Sequence, residues 1–197
     1  MKWLQLFEEF TSGDFKTQQD LINKLTQFEV PIGEWGTGQS KTVRNLLHEL
    51  QEGECHIEDA GGYLVRYLEF VGVRIFYKEG ETILYLQEDR QEFTDGRTRR
   101  RKMPSSVSEK MKFGENPHLA AVRGIREELG ILIKPEQLIK ARDLNYNGSS
   151  MSYPGLRSKY KGHQFTCYLT KEQFNPEGYI EKQEDKSTFF IWVKYES

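Results

Sequence analysis

The chain of 197 residues has few cysteines, no excess of positive charge and no long apolar run, and each scarcity removes a class of protein. Cys55 and Cys167 are too few and too far apart for a disulfide framework, and neither has a second Cys or a paired His at zinc-ligand spacing. Both are expected as small buried or half-buried apolar groups. A net charge of -2 and a pI near 6.1 exclude the global basic field of a general nucleic-acid binder, so anion binding has to be local. No stretch approaches the roughly 18 apolar residues of a membrane-spanning helix. The opening MKWLQLFEEF meets acidic residues before a signal-peptide core can form. These readings predict a soluble, cytoplasmic protein with no membrane partner. Neither an internal repeat nor a low-complexity segment is present.

What is there falls into two patterns. Residues 14–28 place Phe15, Leu21, Ile22, Leu25 and Phe28 at near-helical spacing, with Asp14 where an N-cap acceptor would stand. After the Gly-rich segment VPIGEWGTGQ, helical spacing returns through Val43, Leu46, Leu47 and Leu50. From Cys55 onward, extended runs broken by Gly predict strands: CHIED, YLVRYLEFVGVRIFYK and ETILYLQED, with KEGE as a hairpin connection. A long polar stretch from Arg90 to Lys112 leads to a helix over Pro117–Leu129. A short helix or turn at PEQL and extended segments at HQFTCYL and STFFIWVKY complete the chain. Helices followed by strands that carry one central helix make an α+β fold.

The segment GENPHLAAVRGIREELGI carries the chemistry. Pro117 suits a first helical turn, and Arg123 and Glu127 lie one turn apart, close enough for an ion pair. Glu127 and Glu128 are adjacent carboxylates at the negative end of the helix dipole, so something positive should neighbour them. Arg123 supplies part of that charge. A hard divalent cation such as Mg2+, which takes carboxylate oxygens together with waters and substrate phosphate, could supply the rest.

These residues resemble the Nudix box: Gly, five residues, Glu, seven residues, then Arg-Glu-aliphatic-any-Glu-Glu-any-Gly-aliphatic. Here Glu115 is followed after seven residues by Arg123, Gly124, Ile125, Arg126, Glu127, Glu128, Leu129, Gly130 and Ile131. Two positions depart from the pattern. Glu109 stands where the box begins with Gly, and Gly124 stands where the family carries a metal-binding Glu. A mid-helix Gly costs roughly 1 kcal/mol relative to Ala, so either the backbone packs closely at Gly124 or the space accommodates something.

The resemblance implies a Nudix-like mixed sheet sandwiched by helices over residues 56–197, with residues 1–55 as an N-terminal helical extension. It implies Mg2+ or Mn2+ as cofactor, Glu127 and Glu128 as metal ligands, Glu115 holding Arg123 or a metal-bound water, and Lys110 meeting phosphate. A general base would come from outside the box, from Glu177, Glu181, Glu184 or Asp185. The implied activity is hydrolysis of the diphosphate in a nucleoside diphosphate linked to another group, slowed by the missing Glu. The alternative is a catalytically inactive nucleotide-binding sensor or scaffold whose N-terminal helices carry a partner or homodimer surface. Gly124→Glu is expected to raise activity if only that ligand is missing.

Three further segments carry candidate contacts. GTGQSKT lacks the Gly that a phosphate-binding P-loop places before its Lys, and no strand leads into it; Ser40 is expected to cap the second helix and Trp35 to pack on the sheet. In the run from Arg97 to Lys102, the guanidiniums of Arg99, Arg100 and Arg101 could grip substrate phosphates. RNA is the weaker alternative there, opposed by the acidic overall balance. SYPGLRSKYKGH, with Tyr153, Arg157, Tyr160 and Lys161, could stack a base, or could equally be a turn with snorkelling cations. His56 and His118 are expected to be structural or exposed.

Overall fold

The computed structural model describes residues 8–10, 14–38 and 40–196. Most of the opening segment and Gln39 of the GTGQSKT loop therefore lie outside the described residues. The chain forms two compact units. The first comprises the described residues up to Glu69 with Lys110–Gly114 and Leu144–Lys161, and the second comprises Phe70–Glu109, Glu115–Asp143 and the described residues from Gly162 on.

In the first unit, β1 (Glu8–Phe10) pairs antiparallel with β2 (His56–Asp59). Helices α1 (Gln18–Gln27) and α2 (Val43–Gln51) follow β1, as their periodicity predicts. Their caps differ from expectation. Thr17, not Asp14, caps α1 in a reciprocal box with Asp20, and Thr42, not Ser40, caps α2 in a box with Asn45. Asp20 and Asn45, three positions on, return the hydrogen bond to the cap backbone, whereas Val43, three positions after Ser40, cannot. Ser40 instead accepts from the Thr37 N–H at 3.0 Å inside the turn. Leu21, Leu25, Val43, Leu46 and Leu50 face a core completed by Phe15, Trp35, Cys55, Ile57, Leu64, Tyr153 and Leu156.

A polar cluster is sealed into this core. Glu49, 3% exposed, accepts from Lys41 Nζ at 2.7 Å and from the Arg66 guanidinium, and pairs with Lys110 Nζ at 2.7 Å. Lys110 also donates to Glu54 at 2.7 Å. Burial works against the Glu49 carboxylate, but the Arg66 and Lys110 charges outweigh it and hold the carboxyl at about 2.

The second unit begins with the remainder of β3 (Leu64–Glu79), which turns through Gly80 into β4 (Thr82–Phe93) in an antiparallel hairpin. β5 (Thr98–Arg99) pairs with β4, and β6 (Val107–Lys110) pairs with β3. Helix α3 (Pro117–Leu129) follows. Next come β7 (Leu138–Ser149) and β8 (Arg157–Tyr168), each divided between the units, then β9 (Tyr179–Lys182) and β10 (Lys186–Lys194). The strand order β3-β4-β10-β9 is antiparallel throughout, with β7 on β8 and β8 on β3.

β7 and β9 are not evident in the sequence, because their residues are largely polar and exposed and lack apolar alternation. The outcome is an α+β chain, as expected. Among the described residues no helix is long and apolar enough to cross a membrane.

Replacing Glu49 by Gln should destabilise the protein by about 3 kcal/mol or more in urea unfolding, because Arg66 would be left as a buried, uncompensated charge. A carboxyl depressed in the folded state contributes stability above its unfolded value, and that contribution is lost as pH falls from about 4.5 toward about 2. Wild type should therefore lose stability more steeply than Glu49→Gln over that interval. Parallel acid curves for the two proteins would contradict the assignment.

Candidate functional site

The site is built where β6 leads through a short loop into α3. Asn116 caps the helix, its side-chain oxygen accepting from the His118 N–H at 2.9 Å, and Pro117 occupies the first turn. Gly130, at φ 68°, ends the helix in the left-handed conformation. The buried face consists of Ala120, Ala121, Gly124, Ile125 and Leu129. Arg123 and Glu127 are thereby left toward the polar side.

The Arg123 guanidinium joins three carboxylates from three stretches of chain. Its Nε and Nη2 donate to the two oxygens of Glu115 at 3.1 and 3.0 Å. Nη1 donates to Glu109 on β6 at 2.7 Å and lies 3.5 Å from Glu127 one turn along. The fork geometry matches a carboxylate edge, which a lysine could not reproduce. Hydrogen bonding to Glu115 and Glu109 raises the basicity of Arg123 beyond its ordinary value.

Gly124 has a steric reason. A Cβ at this position would fall 2.8 Å from Glu109 Cβ, 3.2 Å from Val107 Cγ1 and 3.3 Å from Glu109 Cγ. The stem of Glu109 occupies the space over the glycine, so the two departures from the box pattern meet each other. A side chain introduced by Gly124→Glu therefore has first to displace Glu109.

Glu128 lies next to further negative charge. Burial first, then the Glu181 and Glu109 carboxylates, push its carboxyl up to about 8, opposed in part by a hydrogen bond from the Ser108 backbone N–H and by Arg101. Arg101 is itself fixed by two bonds to Glu88, at 2.8 and 2.7 Å. The box carboxylates offer oxygen donors, the type a hard divalent cation selects. Among the described residues, no set of three or more His, Cys, Asp or Glu side chains is already gathered to hold a metal ion.

The other sequence candidates are placed as follows. Glu127 is half exposed and pairs with Arg123. Arg100 is bound to Asp89, and Arg99 is exposed on β5. Lys110 is engaged by Glu49 and Glu54 in the first unit. Arg157 lies over the Tyr63 ring at 4.2 Å. Tyr153 is fully buried, its ring 5.0 Å from Trp35, so its aromatic surface is spent in the core rather than offered to a base. Trp35 also donates from Nε1 to the Pro154 carbonyl at 2.8 Å. His118 packs edge-on to Phe165, and His56 stacks on Tyr67. Of the carboxylates outside the box, Glu181 on β9 acts on Glu128, whereas Glu177, Glu184 and Asp185 are exposed. Sequence reasoning missed Glu109 as a member of the cluster. The paired departures at 109 and 124 were the available signal.

No family model matches the chain, and no curated protein matches it. Partial likenesses to solved structures exist. The crystal structure of a MutT/nudix family protein from Enterococcus faecalis is 13% identical over 66% of this chain and 44% of that one, with a TM-score of 0.43. A C. elegans Ap4A hydrolase is 16% identical over 65% and 80%, with a TM-score of 0.36. The NUDIX domain of Shewanella oneidensis NrtR complexed with ADP ribose is 9% identical over 65% and 73%, with a TM-score of 0.39. The aligned part spans less than half of the Enterococcus protein. The chain is α+β, and its loop and helix carry Glu115, Arg123, Glu127, Glu128 and Gly130 at the spacing of the Nudix box that they resemble.

Two measurements check this geometry. Gly to Ala in an ordinary helix stabilises by about 0.5–1 kcal/mol. Gly124→Ala should instead destabilise by about 1–3 kcal/mol, because its methyl overpacks against Glu109; a stabilised variant in urea would refute the contact.

For Glu128 the sign is the reverse of that for Glu49. A carboxyl raised in the folded state contributes stability below about 4.5, which is lost as pH rises through about 8. In chelator-treated protein, the unfolding midpoint of wild type should fall between pH 6 and pH 9 relative to that of Glu128→Gln. Midpoints that keep a constant separation would rule out the raised carboxyl.

Proposed function

We propose that the chain is a Nudix-type hydrolase that cleaves the diphosphate of a nucleoside diphosphate linked to another group, with Mg2+ or Mn2+ as cofactor. The observation that carries the proposal is the arrangement on α3, where Arg123 ties Glu115 of the loop, Glu109 of β6 and Glu127 of the helix together. When bound, the cation neutralises charge that develops on the diphosphate as water attacks phosphorus. Glu127 and Glu128 supply carboxylate oxygens to that cation.

Glu115 acts through Arg123, holding the guanidinium so that it orients the helix end. Glu181, whose charge reaches Glu128, is assigned to draw the proton from the attacking water. Arg101, whose charge reaches both Glu128 and Glu181, is the cation of the arginine run best suited to meet a substrate phosphate.

A second reading is favoured by one observation: no set of carboxylates among the described residues is gathered for metal. On that reading the chain binds a nucleotide and does not turn it over.

A panel of ADP-ribose, dinucleotides and NADH, incubated with Mg2+ or Mn2+, separates the two. The hydrolase reading expects release of a mononucleotide or phosphate from at least one member, lost in Glu127→Gln and Glu128→Gln and lowered about a hundredfold in Glu181→Gln. Calorimetric binding of a panel member with no product would favour the second reading instead.

A further inference from the structure

We infer that the sheet face of the second unit that turns away from α3 binds single-stranded nucleic acid, stacking bases on a patch of four aromatic rings. β8, β3, β4 and β10 lie side by side, and side chains alternate between the two faces of each strand. On one face Val73, Ile75, Leu86 and Phe165 are sealed from solvent, and Phe165 meets His118 of α3. The residues between them form the other face. There the Phe76 ring lies 5.5 Å from Tyr168, 5.3 Å from Tyr85 and 5.2 Å from Tyr195, centroid to centroid. Tyr168 is 45% exposed, and Ile191 on β10 is 37% exposed, so this face is open where the opposite one is closed. None of the box residues takes part.

The charge on this face is positive. The Arg74 guanidinium sits over the Phe76, Tyr195 and Tyr85 rings at 5.1, 5.2 and 5.4 Å. No carboxylate among the described residues pairs with it, in contrast to Arg100, Arg101 and Arg123. Its N–H edges therefore remain for an outside acceptor. Lys78, two residues beyond Phe76 on the same strand face, is exposed. Asp89, the acid further along β4, is held by Arg90 and Arg100. An acidic peptide would satisfy the two cations but offer the rings no flat partner. A nucleotide chain supplies both, its bases stacking on rings and guanidinium planes while its phosphates meet the N–H edges. The net charge of -2 does not oppose this, because stacking supplies most of the affinity and two local cations the rest.

The test is fluorescence-anisotropy binding of the full chain to a short labelled oligo(U) with a free 5′-hydroxyl, in EDTA, so that neither a diphosphate nor a metal ion takes part. The fold of each variant is checked by circular dichroism and thermal melting. Tyr168→Leu should weaken binding about tenfold, whereas Tyr168→Phe should retain it, because the ring does the stacking. Arg74→Gln should also weaken it about tenfold. The slope of log affinity against log salt should be about -1.4, from about -0.7 for each of two phosphates neutralised on a single strand. The same strand paired with oligo(A) should bind about tenfold more weakly or worse, since its bases are already stacked within the duplex.

No binding of the oligo(U), or equal binding of the duplex, would overturn the inference and leave the hydrolase reading standing. Binding that is steeply salt-dependent, unchanged in Tyr168→Leu and abolished by neutralising Arg99, Arg100 and Arg101 would move the nucleic acid to the arginine run and overturn it as well. If Arg74→Gln fails to fold, the two Tyr168 variants decide the matter alone.

Discussion

The second unit's site depends on one guanidinium. Arg123 donates to Glu115 in the loop, to Glu109 on β6 and toward Glu127 on its own helix, so one planar cation sets the spacing of a loop, a strand and a helix. Five fixed donors allow this, and neutral hydrogen bonds of the same length would be about half as strong. The close approach of β6 to α3 requires a residue without a side chain at the contact, which is Gly124. The glycine's low helix propensity is thus offset by what it admits.

The two units handle buried charge in opposite ways. In the first, one carboxylate, Glu49, sits among Lys41, Arg66 and Lys110, and the cations hold it ionised. The Glu49 carboxylate is paired on both oxygens, while the buried Arg66 Nε has no hydrogen-bond partner among the described residues. Removing a member exposes the cost of a buried charge, and nothing further has to bind. In the second, the charges of Glu181 and Glu109 bear on Glu128 while the nearby guanidiniums are taken up, Arg123 by Glu115 and Glu109 and Arg101 by Glu88. Positive charge falls short there, and proton uptake by Glu128 is the response of the chain alone. The proposed divalent cation would meet the same shortfall with more charge.

Much of this was legible in the sequence, for reasons of period and spacing. α1, α2 and α3 follow from apolar residues at helical intervals, and β3 with β4 from an apolar run broken at Gly80. The partner of Arg123 at Glu127 follows from its offset along the helix, and Glu115 follows from the resemblance to the Nudix box. Three things did not follow. The caps at Thr17 and Thr42 depend on which side chain returns a hydrogen bond, and a nearby Asp14 or Ser40 satisfies the composition rule equally well. The polar strands β7 and β9 show no apolar alternation. Tyr153, in a segment rich in Lys and Arg, reads as a surface ring, yet its burial is fixed by Trp35 and Arg66, distant in sequence. Glu109 belongs to the same class: its relation to Gly124 is a contact through space between a strand and a helix, which no local pattern encodes.

The most direct measurement of the central claim is anomalous diffraction from a crystal of the protein soaked in Mn2+. The account predicts a manganese peak within ligand distance of Glu127 and Glu128 carboxylate oxygens, with Arg123 still bound to Glu115. A peak only elsewhere on the protein, or no peak at the end of α3, would contradict it.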